Sequence, residues 1–560
     1  MIKIINLNIS KLFAIIIFFC SISISAQTSL NNTFISPFKF PLLLSANFGE
    51  LRGNHFHGGL DIKTQGVVGK EVHCIADGYV SRVLVMEGGY GNALFITHYN
   101  GYTSIYGHIK NFAPTIEKVI KEYQLKHEIY AVDLKFEPDY IKFKSGEVIA
   151  LSGNEGLSFG PHLHLEIRDT KTNEYVNPLL FYKDLIADNR APVAQFIAVY
   201  PIKGEGVVEE GQSKKIIPIS HLSKSINAWG KIGIGIKAFD HMTNTSNHYG
   251  IHQIKLFLDD KIIFKSQIDR VKYDENRRIN GYTDYDELKR KNRWIIRSYS
   301  LPGNSINFVE QQQDRGIVDI NQEKDYNFSY EISDIYGNKR RYNFTIKGKK
   351  TNIEPHLPKG KVLYWNKLNI IQEPGFQLAI PKGMLYDNAE LNWSVRSDTA
   401  AIANIYQINN APIPLHSYCT LMIGVKNKVV DDTTKYYIAS IINNRKRYIG
   451  GTYEKGWLKA DIRELGTYTV AIDTVSPKIV PLSKKLWKSG NIQFRIYDNE
   501  TGIKSYKVYI NDKFQLFSYS LKNNKLAMKY PTHLQRGVSH KIEVIIEDRC
   551  GNIRREKYII

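Results

Sequence analysis

Three short segments of the chain concentrate histidine beside glycine and acidic residues. They are His57-Gly58-Gly59-Leu60-Asp61, Tyr106-Gly107-His108 and Gly160-Pro161-His162-Leu163-His164-Leu165-Glu166. Side chains two residues apart on a strand point to the same face, so His162 and His164 would present two imidazoles together. The glycines after His57 permit a tight turn, which lets His57 and Asp61 converge on one point. Two histidines and one carboxylate are a common catalytic zinc set that leaves a position open for water.

Each segment alone also has an ordinary structural explanation. His57 could be a turn histidine, with Asp61 capping its own loop. His108 could be a half-buried strand residue, and a single His-x-His pair on a strand is a weak signal for metal. The three segments together are far more specific, and they indicate metal-assisted hydrolysis, in which zinc activates water and polarises a carbonyl.

With these residues, positions from about 45 to 182 resemble the lysostaphin/LytM family of zinc endopeptidases. The supporting segments that match the family are Ala76-Asp77-Gly78-Tyr79-Val80, Gly89-Tyr90-Gly91-Asn92, Lys144-Ser145-Gly146-Glu147-Val148-Ile149-Ala150 and Val176-Asn177-Pro178. The resemblance implies that Zn²⁺ is bound by His57, Asp61 and His164. It implies that His108 and His162 assist catalysis, and that the substrate is the peptide cross-bridges or stem peptides of peptidoglycan.

Residues 111–143 form a longer connection than members of this family typically have. Apolar residues at helical spacing predict a helix that starts near Pro114 and ends near Lys126, namely Ile116, Val119, Ile120 and Tyr123. The insertion either walls one side of a substrate groove or packs without touching substrate. Its position directly after His108 favours the groove.

The chain is predicted to be mainly β and to contain several domains. Its 560 residues exceed one ordinary core, and its 35 Tyr and 25 Phe favour strands. We expect an antiparallel β-sheet metallopeptidase domain with a helical insertion, followed by immunoglobulin-like β-sandwich modules. The predicted boundaries are a signal peptide at 1–26, the metallopeptidase domain at 27–190, a sandwich at 191–350, a β-rich domain of uncertain type at 351–475 and a second sandwich at 476–560.

A weak internal repeat supports the two sandwich modules. Lys237-Ala238-Phe239-Asp240 corresponds to Arg495-Ile496-Tyr497-Asp498, and each is followed by a strand that ends in an acidic turn. Each copy then closes with a strand, an Asp-bearing turn and a Gly-Asn corner, at residues 332–338 and 546–552. Two copies of one immunoglobulin-like sandwich would produce this pattern.

The first 26 residues have the layout of a secretory signal peptide. Two lysines precede the apolar run Leu12 to Cys20, and small residues lead to a cleavage site expected after Ala26. A lipoprotein anchor at Cys20 is disfavoured because bulky Phe19 precedes it. No later stretch reaches the length of a membrane-spanning helix. The protein is therefore expected to be exported, to the periplasm or to the cell envelope and extracellular space.

The chain carries a formal charge of +20, which becomes +18 once Lys3 and Lys11 are removed with the signal peptide. A surplus of this size favours a polyanionic environment. For an exported protein, wall polymers or anionic membranes fit this better than nucleic acid, and a solubility bias without a partner is the alternative. Cys74, Cys419 and Cys550 would remain, as one bridge or as three buried thiols, and there is no Cys-x-x-Cys motif for zinc.

These observations predict a secreted zinc metalloendopeptidase that hydrolyses peptidoglycan peptides. The modules after the catalytic domain would position the enzyme or bind a protein partner. Two alternatives remain: a catalytically silent wall-associated protein that activates another hydrolase, and an adhesin whose sandwich modules carry the function. The intact set of five candidate residues favours the enzyme.

Overall fold

The structure of the protein is a computed structural model that describes residues 33–311, 314–529, 534 and 538–560. The predicted signal peptide lies outside the described residues. The described chain is mainly β, as the sequence predicts. None of the helices within these ranges is long and apolar enough to cross a membrane.

The front domain, residues 33–190, contains strands β1 to β14 and two helices. The strands are β1 (Leu44–Ala46), β2 (Leu51–Arg52), β3 (His55–Phe56), β4 (Leu60–Lys63), β5 (Glu71–His73), β6 (Gly78–Val85), β7 (Asn92–His98), β8 (Tyr102–Gly107), β9 (Asn111–Phe112), β10 (Val132–Lys135), β11 (Lys142–Phe143), β12 (Val148–Leu151), β13 (His162–Asp169) and β14 (Tyr175–Val176). The helices are α1 (Pro114–His127) and α2 (Leu179–Tyr182).

One antiparallel sheet dominates the front domain, with strand order β1-β4-β13-β8-β7-β6-β10. A smaller sheet, β5-β12-β9, packs against it around a shared apolar core. Strand β13 lies between β4 and β8, so the strand that carries His162 and His164 is central to the sheet. A central strand is held by hydrogen bonds on both edges, which gives its side chains a fixed direction.

The insertion at 111–143 forms a helix and then a new edge of this sheet. Helix α1 begins at Pro114, as predicted, and buries Ile116 and Ile120. Its third buried residue is Gln124, whereas Tyr123, which the apolar spacing placed on the core face, is exposed. The chain then returns as β10, which pairs with β6.

The second module, residues 191–350, contains eleven described strands and two short helices. The strands are β15 (Val193–Val208), β16 (Lys215–Pro218), β17 (Ile226–Phe239), β18 (Gln253–Leu258), β19 (Lys261–Gln267), β20 (Arg270–Val271), β21 (Ile296–Arg297), β22 (Val309–Gln311), β23 (Val318–Ile320), β24 (Asp325–Ser333) and β25 (Lys339–Gly348). The helices are α3 (Ile279–Tyr282) and α4 (Tyr285–Lys291). Eight of the strands follow one path, β16-β15-β17-β25-β24-β18-β19-β22, in which β17 and β25 pair in parallel, and β21 and β23 pair with β17 beside this path.

The third unit, residues 351–475, and the last module, residues 476–560, each pair two sheets over a core of their own. The third unit contains β26 (Val362–Leu363), β27 (Asn369–Glu373), β28 (Phe376–Ile380), β29 (Ala389–Glu390), β30 (Ser394–Arg396), β31 (Ile405–Gln407), β32 (Ile413–Gly424), β33 (Tyr436–Ile442), β34 (Arg445–Gly450), β35 (Thr452–Glu454), β36 (Trp457–Leu465) and β37 (Thr467–Ile472). The last module contains β38 (Lys478–Leu482), β39 (Gln493–Tyr497), β40 (Ile503–Ile510), β41 (Lys513–Gln515), β42 (Phe517–Ser520), β43 (Lys525–Met528), β44 (Lys541–Asp548) and β45 (Ile553–Ile559).

The second and last modules share a strand arrangement. The order β19-β18-β24-β25 in the second module matches β41-β40-β44-β45 in the last. The hairpin turns Asp259-Asp260 and Asn511-Asp512 both have left-handed backbone at their two central residues. This is the turn geometry that fits the twist of two paired strands.

The front domain and the second module are joined by a continuous apolar core and by paired backbone. Strand β14 of the front domain pairs with β20 of the second module. The Phe56 ring packs edge-on against Phe308. The backbone N–H of Phe56 donates to the Asn276 Oδ1 at 2.6 Å. Because Phe56 directly precedes His57, the second module supports the loop that presents this histidine.

Candidate metal centre

The sheet register brings the three histidine segments together. His164 on β13 lies opposite Asp61 on β4 and opposite Gly107 on β8. His108 follows directly after β8, and its left-handed backbone (φ 60°) turns the chain away from the sheet. His162 shares the face of His164, two residues earlier on β13.

The glycines of the first segment allow His57 to reach this point. A Cβ on Gly59 would lie 2.4 Å from the Leu165 carbonyl oxygen, and one on Gly58 would lie 2.7 Å from the Tyr175 ring. Both distances are too short for any side chain, so the loop packs against β13 and β14 only because these positions lack a Cβ. The sequence analysis predicts a tight turn here for the same reason, since glycine has no Cβ.

Three donor atoms converge as a metal site requires. The Nε2 of His57 is 3.1 Å from the Asp61 Oδ1 and 3.1 Å from the His164 Nδ1, and the last two atoms are 2.8 Å apart. All three residues are mostly buried, and this group could bind a metal ion. Nitrogen and carboxylate donors in this number suit a catalytic zinc site with an open position.

The outward nitrogens of both imidazoles have acceptors that fix the tautomer. His57 donates its Nδ1–H to the Asn47 carbonyl at 2.7 Å, which leaves Nε2 with its lone pair. His164 donates its Nε2–H to the Glu166 Oε1 at 3.0 Å, which leaves Nδ1 with its lone pair. Such hydrogen bonds orient metal-binding imidazoles and make them more basic.

Glu166 is itself held by two buried partners. Its Oε1 accepts the Tyr90 hydroxyl at 2.5 Å, and its Oε2 accepts the Arg168 guanidinium at 2.7 and 2.9 Å. Burial alone would raise the pKa of Glu166, but Arg168 and His164 lower it to about 2. The Arg168 guanidinium lies over the Tyr175 ring, 4.4 Å from its centre. Sequence reasoning placed Glu166 on the face of the histidines but left Tyr90 and Arg168 without a role, although Arg168 follows the same alternation along β13.

The Asp61 carboxylate is surrounded by positively polarised groups. Burial opposes its ionisation, but His57, His162 and His164 hold its pKa well below its usual range. Its Oδ2 is 3.6 Å from the Arg52 guanidinium. Without a cation at this point, the same surroundings raise the pKa of His164 to about 9 through its hydrogen bonds with Asp61 and Glu166, against the effect of burial. A metal ion at Nδ1 would take the place of that proton.

The other two candidate histidines lie beside this group. His108 and His162 face each other with ring centres 4.7 Å apart, and the His162 Nε2 is 3.5 Å from the Asp61 Oδ1. His108 donates its Nδ1–H to the Glu155 carbonyl at 2.7 Å, and His162 donates its own to the Gly160 carbonyl at 2.8 Å. Burial and the neighbouring His164 and His162 lower the pKa of His108 to about 3, so its Nε2 is an unprotonated base at neutral pH.

A cavity lies farther along the same face of the sheet, and none of the five candidate residues lines it. Arg168, two residues beyond Glu166 on β13, lines it together with Phe95 and Ile105 of the neighbouring strands. Lys135 at the end of β10 also lines it, so the insertion supplies part of one wall. Tyr273 of the second module closes the end next to Arg168.

The last module contacts the loops beside the site. Its Lys522 ammonium donates to the Asn154 carbonyl at 2.5 Å, next to Glu155, which holds His108. Its Tyr506 hydroxyl donates to the Glu87 carboxylate at 3.0 Å, and Lys507 pairs with Glu128 at 3.0 Å. Glu128 directly follows helix α1, so the insertion also forms part of the surface on which the last module docks.

The histidines to which the sequence gave no chemical role take two kinds of position. For His55, His73, His98 and His127, which lie outside the three segments, the sequence predicts surface or turn positions. His55 and His127 are exposed. His73 and His98 are instead buried, because each finds an internal partner: His73 bonds to the Gly146 carbonyl, and His98 to the Ser104 hydroxyl. The cysteines Cys74, Cys419 and Cys550 are free and buried.

Two parts of the chain match family models. Residues 55–125, which include His57, Asp61 and His108, match the model described as peptidase family M23. Residues 360–473 match the model of a Zu5-like domain.

Curated relatives match only a part of the chain. A segment of 123 residues is 32% identical to the DD-carboxypeptidase/endopeptidase Mpg of Neisseria meningitidis and to an uncharacterized metalloprotease of Haemophilus influenzae. The match covers 22% of this chain, and 22% and 20% of the two relatives, so the chain spans about a fifth of their length.

Solved structures also match this part of the chain. The catalytic domain of the M23 protein EnpA from Enterococcus faecalis is 23% identical with a TM-score of 0.19, over 26% of this chain and 95% of that one. A zinc-containing peptidase from Vibrio cholerae is 27% identical with a TM-score of 0.19, over 26% of this chain and 38% of that one. The family model and the curated relatives agree with the resemblance to the lysostaphin/LytM group and support an M23-type peptidase domain in the front part of this chain, where residues 55–125 match the model.

Proposed function

We propose that the protein is an exported zinc metalloendopeptidase that hydrolyses peptide cross-links or stem peptides of bacterial peptidoglycan. The observation that carries the proposal is the convergence of the His57 Nε2, the Asp61 Oδ1 and the His164 Nδ1, with His108 and His162 beside them. Five residues from three separate segments meet at one point, which a purely structural role would not require.

The donor set fits zinc. Two imidazole nitrogens and one carboxylate oxygen are ordinary zinc ligands, and both imidazoles are oriented by acceptors behind them, Asn47 and Glu166. When bound, zinc would act as a Lewis acid that activates water and polarises the scissile carbonyl.

His108 and His162 would move the protons. Their Nδ1 atoms are engaged with backbone carbonyls, so their Nε2 atoms carry lone pairs that can accept a proton. We propose that one of them takes a proton from the water as its oxygen bonds to the peptide carbon. The proton then passes to the leaving amine when the C–N bond breaks, and the second imidazole, whose Nε2 likewise lacks a proton, would accept a hydrogen bond from the water and orient it.

The cavity farther along the sheet would accommodate an extended peptide as substrate. Its lining includes Lys135, together with Arg82 and Arg168, which are paired with Asp133 and Glu166. Stem peptides of peptidoglycan carry carboxylates, so a rim with basic side chains would favour them. The relatives named as a DD-carboxypeptidase/endopeptidase support the same class of substrate. The net charge of +20 suits an anionic wall, and export would follow from the predicted signal peptide.

Digestion of purified peptidoglycan by residues 27–560 tests the proposal. We expect new muropeptide masses and about one zinc ion per chain, the number that a single three-ligand site holds. The His164→Ala variant should lose both, and the variant His127→Ala, at an exposed histidine outside the group, should keep both. Bound zinc without muropeptide products would reject peptidoglycan as substrate. If the wild type binds no zinc and releases no products, a wall-associated binding protein becomes the better interpretation.

A further inference from the structure

A second group of possible metal ligands lies where the front domain meets the second module. It consists of Asp188, from the segment between α2 and β15, Asp240 after β17 and Asp334 after β24. One carboxylate oxygen of each lies within 4.8 Å of the other two. Like charges at this distance repel strongly when they are shielded from water, so such a group needs a proton or a cation.

One member of this group is buried without a hydrogen-bond donor at one oxygen. Asp240 is 3% exposed, and its Oδ1 has no hydrogen-bond partner among the described residues. The Oδ2 of Asp188 likewise has none among them. A small cavity lies against Asp240 and Asp334 and is lined on the other side by Asn47 and Asn177 of the front domain. Unsatisfied buried carboxylate oxygens are costly, so they indicate a missing ligand.

The last module contains the same corner and provides an internal comparison. Asp473, Asp498 and Asp548 occupy the corresponding places. Asn338 donates to the Asp188 carbonyl and to the Asp334 carboxylate, just as Asn552 donates to the Asp473 carbonyl and the Asp548 carboxylate.

The two corners differ in how their carboxylates are satisfied. In the last module the Asp498 Oδ2 accepts the backbone N–H groups of Glu500, Thr501 and Gly502, and the Thr501 hydroxyl donates to Asp473. In the second module Thr243 donates its N–H and its hydroxyl to the Asp188 Oδ1, as Thr501 donates to Asp473, but the loop after Asp240 is longer and the Asp240 Oδ1 has no hydrogen-bond partner among the described residues. The backbone N–H groups that satisfy the Asp498 carboxylate therefore have no counterpart, within the described ranges, at the Asp240 Oδ1, which needs a partner from outside the chain.

We propose that Asp188, Asp240 and Asp334 bind a hard divalent cation, of which Ca²⁺ is the representative. The donors are all oxygens, which hard cations such as Ca²⁺ prefer, and a divalent cation would neutralise two of the three carboxylate charges. Burial, together with Asp334 and Asp188, raises the pKa of Asp240 to about 8, as expected for a carboxyl group whose charge lacks compensation. Because Asp188 lies in the connecting segment, the cation would tie the front domain to the second module and stiffen the support of the His57 loop.

The proposal is tested by titrating zinc-loaded residues 27–560 with calcium in a calorimeter. Terbium luminescence provides a second readout, sensitised through Tyr336, which follows Asp334 by two residues. We expect one Ca²⁺ per chain, and we expect the Asp240→Asn variant to bind it at least about tenfold more weakly because a charged ligand is lost. The Asp498→Asn variant is the matched control in the other corner and should bind Ca²⁺ as the wild type does. His164→Ala should also keep Ca²⁺, which separates this site from the proposed zinc centre.

Other results would overturn the proposal. One is the absence of Ca²⁺ binding together with an infrared band of a protonated carboxyl group at neutral pH that disappears in Asp240→Asn, because a proton would then neutralise the corner. Another is equal loss of Ca²⁺ in Asp240→Asn and Asp498→Asn, which would show that the unsatisfied oxygens do not select the site. If Asp240→Asn fails to fold, Asp188→Asn removes the other unsatisfied oxygen and serves the same comparison.

Discussion

His164 lies directly opposite Asp61 across the pairing of β13 with β4, and the His164 Nδ1 is 2.8 Å from the Asp61 Oδ1. The two proposed ligands are therefore held by the hydrogen bonds of a central sheet and not by a loop. Sites on regular strands are positioned more precisely than sites on loops. Only His57 reaches the group from a turn, and that turn is fixed by glycines packed against the sheet and by the second module.

The Asp61→Asn variant should lose the metal. The substitution keeps the shape of the side chain but removes the negative charge that His57, His162 and His164 surround. We expect zinc affinity to fall by more than about 100-fold, beyond the 10–100-fold typical of a residue that only orients a ligand. Zinc content after dialysis against a graded chelator measures this. Retained zinc with lost activity would instead make Asp61 a proton carrier.

Glu166→Gln should weaken zinc binding by about 10–100-fold through its effect on His164. The amide can still accept at its oxygen but no longer balances the buried Arg168. The milder comparison is Tyr90→Phe, which removes one hydrogen bond to Glu166 and should cost about 1 kcal/mol of stability with little change in zinc affinity. Equal effects of the two variants on zinc would mean that the hydroxyl, and not the carboxylate charge, orients His164.

His108→Ala and His162→Ala should retain zinc and lose turnover. Neither residue belongs to the three-residue metal group, and both present Nε2 beside it. We expect kcat to fall by about 10²–10⁴-fold, the usual contribution of a positioned acid or base, with little change in KM. Separate measurement of kcat and KM on a defined muropeptide checks this, with the zinc content measured in the same samples. A rise in KM at unchanged kcat would assign the residue to substrate binding.

Gly59→Ala should destabilise the front domain, because its new methyl group would lie 2.4 Å from the Leu165 carbonyl. We expect a loss of more than about 3 kcal/mol in the free energy of unfolding, as for other strongly strained substitutions. Gly53→Ala is the matched control, since a Cβ there meets no atom within 4 Å, and its effect should stay within about 0.5 kcal/mol. Thermal unfolding of both variants decides the point, and similar midpoints would show that the loop relaxes.

Local sequence patterns predict much of the placement of the candidate site residues. The two-residue spacing of His162 and His164 and the glycines after His57 predict their shared placement from strand and turn geometry alone. The partners behind them could not be found in this way, because Asn47 and Tyr90 reach the site through tertiary packing from distant positions. Periodicity also misplaced Tyr123, since it cannot show that Gln124 would find a backbone partner inside the fold. The roles of the five site residues and the domain boundaries stay predictions.

His98 should make the front domain sensitive to acid. Burial lowers its pKa from 6.5 to about 4 in the folded protein, so between these values the unfolded chain takes up a proton that the folded chain does not. The free energy of unfolding should therefore fall as pH decreases from about 6.5, by up to about 1.4 kcal/mol per pH unit for one proton, and this contribution is fully lost below the folded pKa. His98→Gln should be less stable at neutral pH but should show a shallower decline towards acid, whereas His127→Gln, at an exposed position, should follow the wild type. Denaturant unfolding of the zinc-free variants at several pH values measures the slopes, and an unchanged slope in His98→Gln would mean that His98 does not stay neutral in the folded protein.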